Sequence, residues 1–345
     1  MDFRSALAWR PPDHWVLRAV VIDSHSGGEP FRVVVDGMDE IPGETVLERR
    51  RFARENLDEL RRFSMWEPRG HADMYGGWLG PPTSDESDLS VLFLHNEGFS
   101  TMCGHGIIAL AKVVLDTGIL PVTEPETVLR IDTPAGLVVA TSTVEEGVVV
   151  STRFRNVPSF AIDLDATVDV PDLGRVGFDL AFGGAFYAIV AASTLGLDLD
   201  DAPGLIAAGR AVKAAISSSR SLEHPEDADL GFLYGVIFTG PGRKTGNHSR
   251  NVCVFADGEV DRSPTGTGVS ARLAALHARG SVSIGVEITV ESIVGSEFTG
   301  RIVATTTVGG LAAIVPEITG SAHITGRAEL WLDPGDRLGQ GFLLR

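Results

Sequence analysis

A cysteine at the predicted start of a helix is the first reactive group in this sequence. Cys103 precedes the apolar run 107–115, a pattern that predicts a buried helix ending at Gly118. The free N–H groups and the positive dipole end of such a helix favour a thiolate and also bind carboxylates. Gly104 and Gly106 would let an anion approach the backbone closely. A small buried core residue is the alternative interpretation of Cys103.

The same arrangement occurs a second time around Thr265. Glycines lie one, three and fifteen residues after Cys103, and glycines lie at the same three distances after Thr265. Each position follows a predicted strand, at 91–94 and 252–255 respectively. Two further pairs repeat at a similar separation: Gly-Gly before the predicted strands 31–35 and 186–190, and the segments VVATSTV at 138–144 and IVATTTV at 302–308. We interpret these repeats as an old duplication into two halves.

Two such halves predict a site between them. Duplicated halves usually face each other across a pseudo-twofold axis, which would bring the helix ends headed by Cys103 and Thr265 to one cleft. At least four backbone N–H groups would converge there, and a small carboxylate is their natural ligand. We place the first half at 1–155, with 325–345 as a candidate to complete it, and the second at 156–324.

Composition supports two domains and excludes several function classes. A chain of 345 residues with 43% hydrophobic content is long enough for two cores. The net charge of −17 makes nucleic acid and anionic membranes poor partners. Two cysteines predict no disulfide framework, and Cys253 alternates within a strand as a core residue would. The stretch 1–16 does not resemble a signal peptide, so we expect a cytoplasmic protein.

Several other segments have less specific patterns. The charged segment 48–63 predicts one solvated amphipathic helix, and 67–82 predicts an irregular loop that forms a lid or pocket wall. His25 and Glu29 flank a Gly-Gly turn and are candidates to line the cleft, although a plain turn into a strand is an equal alternative. His71 and Asp73 are too few ligands for a recognisable metal site, so we expect no metal.

Five segments together resemble a known family. DSHSGGEPFRVV, EPRGHADMYG, MCGHG, RNVCVFADGEVDRSPTGTG and GSAHITGR occur in that order and resemble the signature segments of the proline racemase family over 21–342. The resemblance implies a diaminopimelate-epimerase-like fold: two pseudo-symmetric α+β domains, each with strands wrapped around a central helix, and an active site in the cleft between them.

One departure from the family pattern bears on the reaction. In the racemases and hydroxyproline epimerases of the family both helix-heading positions are cysteines, whereas here they are Cys103 and Thr265. A threonine hydroxyl holds its proton too tightly to exchange it near neutral pH. The Cys/Thr pair resembles the branch of trans-3-hydroxy-L-proline dehydratases, which yield Δ1-pyrroline-2-carboxylate.

The resemblance also implies roles for individual residues. Cys103 would accept the α-proton, and Thr265 would orient the substrate from the opposite face. In the trans isomer the hydroxyl and the α-hydrogen share a ring face, so Cys103, or a water that it holds, would protonate the departing hydroxide. Asp261, and with it His105, would hold the ring nitrogen. The carboxylate would bind the N–H groups of Gly104, His105, Gly266 and Thr267. No cofactor is required.

Two alternative functions also fit the sequence. A proline racemase or hydroxyproline 2-epimerase is the second function, and a non-catalytic protein that binds imino acids is the third. Without the resemblance, the sequence favours a turn or cap residue before Ser263-Pro264 over a substrate contact for Asp261. The expected partner is a small imino acid, and the sequence leaves a homodimer open.

Overall fold

A computed structural model describes residues 3–37 and 39–344. Residues 1, 2, 38 and 345, which belong to the predicted first half, to the stretch 1–16 and to the C-terminal segment 325–345, lie outside the described residues. The described part is a mixed α/β structure in which one large sheet surrounds a small number of helices. None of these described helices is both long and apolar enough to span a membrane.

The helices of the described part are α1 (Arg4–Ala8), α2 (Val46–Asn56), α3 (Asp58–Met65), α4 (Gly104–Asp116), α5 (Ala202–Ser219) and α6 (Gly266–Ala278). The strands are β1 (Val16–Ser26), β2 (Glu29–Asp36), β3 (Tyr75–Gly80), β4 (Leu89–His95), β5 (Glu126–Thr133), β6 (Gly136–Glu145), β7 (Val148–Arg155), β8 (Phe160–Val170), β9 (Gly174–Phe182), β10 (Phe186–Ala191), β11 (Leu233–Gly240), β12 (Ser249–Phe255), β13 (Glu259–Val260), β14 (Glu287–Glu291), β15 (Glu297–Val308), β16 (Leu311–Gly320) and β17 (Ala322–Leu332).

The strand pairings follow the same order twice. In the first series β2 pairs in parallel with β3, β3 antiparallel with β4, β4 in parallel with β5, and β5, β6 and β7 follow antiparallel. In the second series β10, β11, β12, β14, β15 and β16 repeat that order of parallel and antiparallel pairs. The last strand β17 returns to pair with β1, and β7 pairs with β16 where the two series join.

One apolar helix lies inside each series. Every residue from Gly104 to Leu115 in α4 is buried, and α4 contacts β1, β2, β6, β7, β16 and β17. Helix α6 contacts β8, β9, β10, β15 and β16 in the same manner. Both helices begin where the sequence predicts, after Cys103 and Thr265, and each is followed by a glycine with positive φ, +75° at Gly118 and +70° at Gly280. The strands predicted at 91–94, 252–255, 31–35 and 186–190 are also confirmed.

The prediction of one solvated helix over 48–63 is wrong. The structure has two helices there, α2 and α3, and Arg50 and Arg61 are buried rather than solvated. Arg50 Nε donates to the Phe99 carbonyl at 2.9 Å, and an Arg61 guanidinium nitrogen donates to the His95 carbonyl at 2.9 Å. These arginines satisfy carbonyls of the turn before α4, a tertiary partnership that a charge pattern does not reveal.

The prediction of an irregular loop over 67–82 is wrong for its second part. Strand β3 lies there and pairs with β2 and β4. Two of its glycines are required by close packing: a Cβ at Gly76 would lie 2.5 Å from the Arg32 carbonyl oxygen, and one at Gly77 would lie 2.7 Å from a Val91 methyl carbon. The glycines suggested a loop in the sequence, but in the structure they allow the neighbouring strands β2 and β4 to approach β3 closely.

Candidate active site

One buried cavity collects all seven residues that the sequence analysis assigned to the site. Its walls carry Cys103, Gly104, His105, Asp261, Thr265, Gly266 and Thr267. The thiol and the threonine side chain therefore share one cavity although 162 positions separate them. Of the described residues that line it, none is a lysine or arginine. The roles of the seven residues stay predictions.

The cavity exists where the N-termini of α4 and α6 meet. A Cβ at Gly104 would lie 2.6 Å from the Cα of Gly266, and a Cβ at Gly266 would lie 2.8 Å from the Cα of Gly104. The Phe154 ring closes the space beneath both glycines, 3.0 Å from the first of these positions and 3.3 Å from the second. The two helix ends approach each other so closely that only the hydrogen of glycine fits at both positions. The N–H groups of their first turns therefore face one volume.

The thiol of Cys103 caps its own helix. Its Sγ accepts from Gly106 N at 3.3 Å and lies 3.2 Å from His105 Nδ1. Burial raises the pKa of this thiol well above its ordinary value, and the nearby Asp261 and Glu29 carboxyls raise it further, whereas the Gly106 N–H lowers it. The expectation of a favoured thiolate is therefore wrong for the ligand-free cavity, because desolvation outweighs the helix terminus.

The imidazole of His105 is fully buried and neutral. Burial lowers its pKa, while Asp261 and a hydrogen bond to the Pro30 carbonyl act in the opposite direction. Asp261 itself is buried at 3% exposure and accepts from Ser263 N at 2.7 Å, so it does make the turn contact of the alternative interpretation. It also lines the cavity, and the two interpretations are compatible.

Thr265 has a strained backbone. Its φ of +67° and ψ of 93° lie in a region that β-branched residues rarely adopt, at a cost of about 1–3 kcal/mol. Its Oγ1 is buried without a hydrogen-bond partner in the described structure. The Cys253 thiol lies near enough to interact weakly, but not in hydrogen-bond geometry. A strained residue with an unsatisfied hydroxyl on a cavity wall is a candidate for ligand contact.

The cavity also has an aromatic wall, none of whose residues was predicted from the sequence. All three tyrosines of the chain, Tyr75, Tyr187 and Tyr234, line the cavity and are buried, together with Met102 and Phe255. Tyr187 Oη and Thr267 Oγ1 are 2.7 Å apart, and Tyr75 Oη and Tyr234 Oη are 3.0 Å apart. A signal was available in the sequence, because Tyr-Gly occurs at 75–76 and again at 234–235, matching the duplication.

The remaining candidates lie outside the cavity wall. Glu29 is fully buried behind it, and its Oε2 accepts from Arg262 N at 2.7 Å. Burial and the neighbouring Asp261 raise the pKa of Glu29 well above its ordinary value. His25 instead packs against His323, with ring centroids 5.3 Å apart. Among residues 3–37 and 39–344 no group of three or more His, Cys, Asp or Glu side chains is placed to hold a metal ion.

The twice-repeated strand order and the buried thiol at two touching helix ends define a mixed α/β protein with an internal cavity where its two apolar helices meet. Residues 21–343 match the sequence model of a family described as proline racemase, and the chain belongs to that family. A relative from Colwellia psychrerythraea, named trans-3-hydroxy-L-proline dehydratase, is 44% identical over 326 residues, which cover 94% of this chain and 92% of the relative.

Other family members carry a different activity in their names. The 4-hydroxyproline 2-epimerase of Streptosporangium roseum is 46% identical over 325 residues, which cover 94% of this chain and 97% of the relative. The solved structure of a hydroxyproline epimerase from Agrobacterium vitis, with bound trans-4-hydroxy-L-proline, superposes with a TM-score of 0.92 at 35% identity, covering 96% of each chain. Overall similarity therefore does not separate dehydration from epimerisation, and the site residues must do so.

Proposed function

We propose that this protein dehydrates trans-3-hydroxy-L-proline to Δ1-pyrroline-2-carboxylate. The observation that carries the proposal is the asymmetry of the cavity, which has a thiol at the start of α4 and a threonine at the start of α6. Racemisation or epimerisation removes the α-proton from one face and returns a proton to the other. It therefore requires a second group that exchanges protons near neutral pH, and a threonine hydroxyl does not exchange its proton there. Cys253, the second thiol, does not line the cavity.

Binding of the carboxylate is assigned to backbone N–H groups. The first turn of a helix leaves its N–H groups without carbonyl partners in the helix, and two such turns face the cavity. The proposed donors are those of Gly104, His105, Gly266 and Thr267. They would bind the carboxylate more strongly as charge moves onto it from the α-carbon, which lowers the barrier to proton removal.

Proton removal is assigned to Cys103. Burial keeps the thiol neutral in the ligand-free cavity, and the arriving ring ammonium brings a positive charge that favours the thiolate. Asp261 would hold that ammonium, with the neutral His105 beside it. Thr265 would use its unpartnered hydroxyl to orient the ring from the opposite face. The sulfur takes the α-proton, the C3–O bond breaks, and the enamine product tautomerises to the cyclic imine.

The proposed fold assignment follows the same division. We assign a diaminopimelate-epimerase-like arrangement with one half at 1–155, completed by 325–345, and the other at 156–324. The pairing of β17 with β1 supports the completion of the first half by the C-terminal segment. The repeated order of strand pairs supports the pseudo-symmetry, and the contact of α4 with α6 supports a site between the halves.

The proposed chemistry has consequences for the cofactor, the location and the partner of the enzyme. It needs no cofactor, since the substrate's own ammonium and the helix N–H groups stabilise the carbanion. It needs a reduced thiol, so we propose a cytoplasmic location, and both cysteines are free thiols in the structure. The proposed partner is the imino acid alone.

One assay tests the function. Purified protein is incubated with trans-3-hydroxy-L-proline, and the cyclic imine is measured by its adduct with o-aminobenzaldehyde, with Cys103→Ser as the matched control. The wild type should form imine, and the serine variant should lose activity by at least about 10³-fold, because an alcohol is a far weaker base than a thiolate. Rapid interconversion of D- and L-proline by the wild type would instead identify a racemase, and ligand binding without turnover would identify a binding protein.

A further inference from the structure

The three tyrosines of the cavity differ in what their hydroxyls contact. Tyr187 bonds to the side chain of Thr267, at the start of α6. Tyr75 and Tyr234 bond to each other, and Tyr75 also makes a short hydrogen bond with Ser100, in the turn before α4. Tyr75 is therefore the one phenol of the cavity with two hydroxyl neighbours, both of them buried.

The geometry of these bonds allows the Tyr75 proton to stay available, because either oxygen of each pair can be the donor. When Ser100 and Tyr234 both donate, the Tyr75 oxygen accepts two bonds from buried hydroxyls. Burial raises the pKa of both phenols. The bonds with Ser100 and Tyr234 lower the pKa of Tyr75 against that burial. An oxygen that accepts two bonds keeps its own O–H for a third partner, and both bonds stabilise the phenolate left when that proton is given away.

Tyr75 also lies on the thiol side of the cavity. Its ring centroid is 5.0 Å from that of His105, whose Nδ1 lies 3.2 Å from the Cys103 sulfur. Tyr187 lies on the other side, where its hydroxyl bonds to Thr267 beside Thr265. In trans-3-hydroxy-L-proline the leaving hydroxyl shares a ring face with the α-hydrogen, so it departs on the side of Cys103, where Tyr75 lies.

We propose that Tyr75 is the general acid of the dehydration and passes a proton from Cys103 to the departing hydroxyl, an inference that rests on the function proposed above. The α-proton moves to the Cys103 sulfur as the C2–H bond breaks. The C3–O bond then breaks while the Tyr75 O–H gives its proton to the oxygen, which leaves as water. The Cys103 S–H returns a proton to the Tyr75 oxygen, and thiolate and phenol are both restored.

This assignment revises the expectation that Cys103 or a water protonates the leaving group directly. A phenol held between Ser100 and Tyr234 supplies a fixed donor where hydroxide develops, and hydroxide is a poor leaving group without a proton. The same hydroxyl would give the cavity its preference for a substrate with oxygen at C3, because a buried O–H without a partner carries a desolvation penalty.

The test compares two leaving groups in the Tyr75→Phe variant. Chloride needs no proton to depart, so trans-3-chloro-L-proline reports proton abstraction by Cys103 alone, and trans-3-hydroxy-L-proline reports abstraction plus protonation. With imine formation as the readout, hydroxide loss should fall by about 10²–10³-fold, the usual contribution of a general acid. Chloride loss should change by less than about threefold, since the phenyl ring preserves the wall of the cavity.

Two further variants separate chemistry from structure. Tyr187→Phe removes the same atom on the Thr265 side, so the ratio of chloride loss to hydroxide loss should stay at the wild-type value. Ser100→Ala removes one hydroxyl partner of Tyr75 and should slow hydroxide loss by about 3–10-fold with little effect on chloride loss. Turnover of the chloro substrate also shows that each variant is folded.

Three outcomes overturn the proposal: equal losses with both substrates in Tyr75→Phe, unchanged hydroxide loss in that variant, or an equal change of the ratio in Tyr187→Phe. These outcomes differ from failure of the proposed function itself. If the wild type forms no imine from trans-3-hydroxy-L-proline, the dehydratase assignment fails, and the assignment of Tyr75 fails with it. If the wild type forms imine and the ratio does not move, only the role of Tyr75 is refuted.

Discussion

The contact between the two helix ends gives a sharp mechanical prediction for Gly104→Ala. The new Cβ would lie 2.6 Å from the Cα of Gly266, whereas ordinary van der Waals contact begins at 3.4 Å. The neighbour is backbone and the Phe154 ring closes the other direction at 3.0 Å, so no flexible side chain can move aside. The helix ends must separate by the difference between 2.6 and 3.4 Å, about 0.8 Å.

That displacement acts on both sides of the cavity at once. Cys103 and Thr265 precede the two glycines, so each moves relative to a substrate held between them. A misplacement of about 1 Å costs roughly 10²-fold in rate, or about 2.7 kcal/mol of transition-state free energy. Overpacking should also lower the free energy of unfolding by about 1–3 kcal/mol. The higher helix propensity of alanine offsets up to about 1 kcal/mol of that loss.

The assay is kcat/KM for trans-3-hydroxy-L-proline together with urea unfolding. Gly98→Ala is the matched control, since Gly98 lies five positions before Cys103, has ordinary φ and would place its Cβ in open space. The control should stay within about threefold of wild-type activity and about 0.5 kcal/mol of its stability. If Gly104→Ala does the same, the two helix ends are not in contact and the single-cavity geometry is wrong.

Three further predictions concern the thiol, the threonine and a buried carboxyl. Because burial raises the pKa of Cys103, kcat/KM should rise about tenfold per pH unit between pH 6 and 8; a flat profile contradicts a neutral thiol in the free enzyme. Thr265→Cys restores the second thiol and should create measurable L-proline racemisation by chiral chromatography, which the wild type and Thr265→Ser should lack. Because the pKa of Glu29 is raised in the folded state, its protonated form stabilises the fold fully below pH 4.5, and this contribution is lost as the pH rises through the folded-state pKa. Glu29→Gln should therefore flatten the pH dependence of the free energy of unfolding in urea above pH 4.5. An unchanged slope would count against a raised pKa of Glu29.

Local sequence patterns predicted much of the secondary structure near the site. The glycines spaced around Cys103 and Thr265 marked the beginnings and ends of α4 and α6, because helix termini have local requirements for φ and for free N–H groups. The same local logic failed for β3, where Gly76 serves a close contact with a neighbouring strand rather than a turn. It failed again for Arg50, whose carbonyl partner at Phe99 lies far along the chain.

The sequence by itself determined which residue types occupy the two helix starts, and the single exchange of cysteine for threonine at position 265 is readable without coordinates. Only the tertiary structure decided that these positions share one cavity, that burial holds the Cys103 thiol neutral, and that Tyr75 joins it from a strand that seemed a loop. The reason is physical: helix starts depend on neighbours in sequence, whereas desolvation and hydroxyl contacts depend on groups brought together from distant parts of the chain.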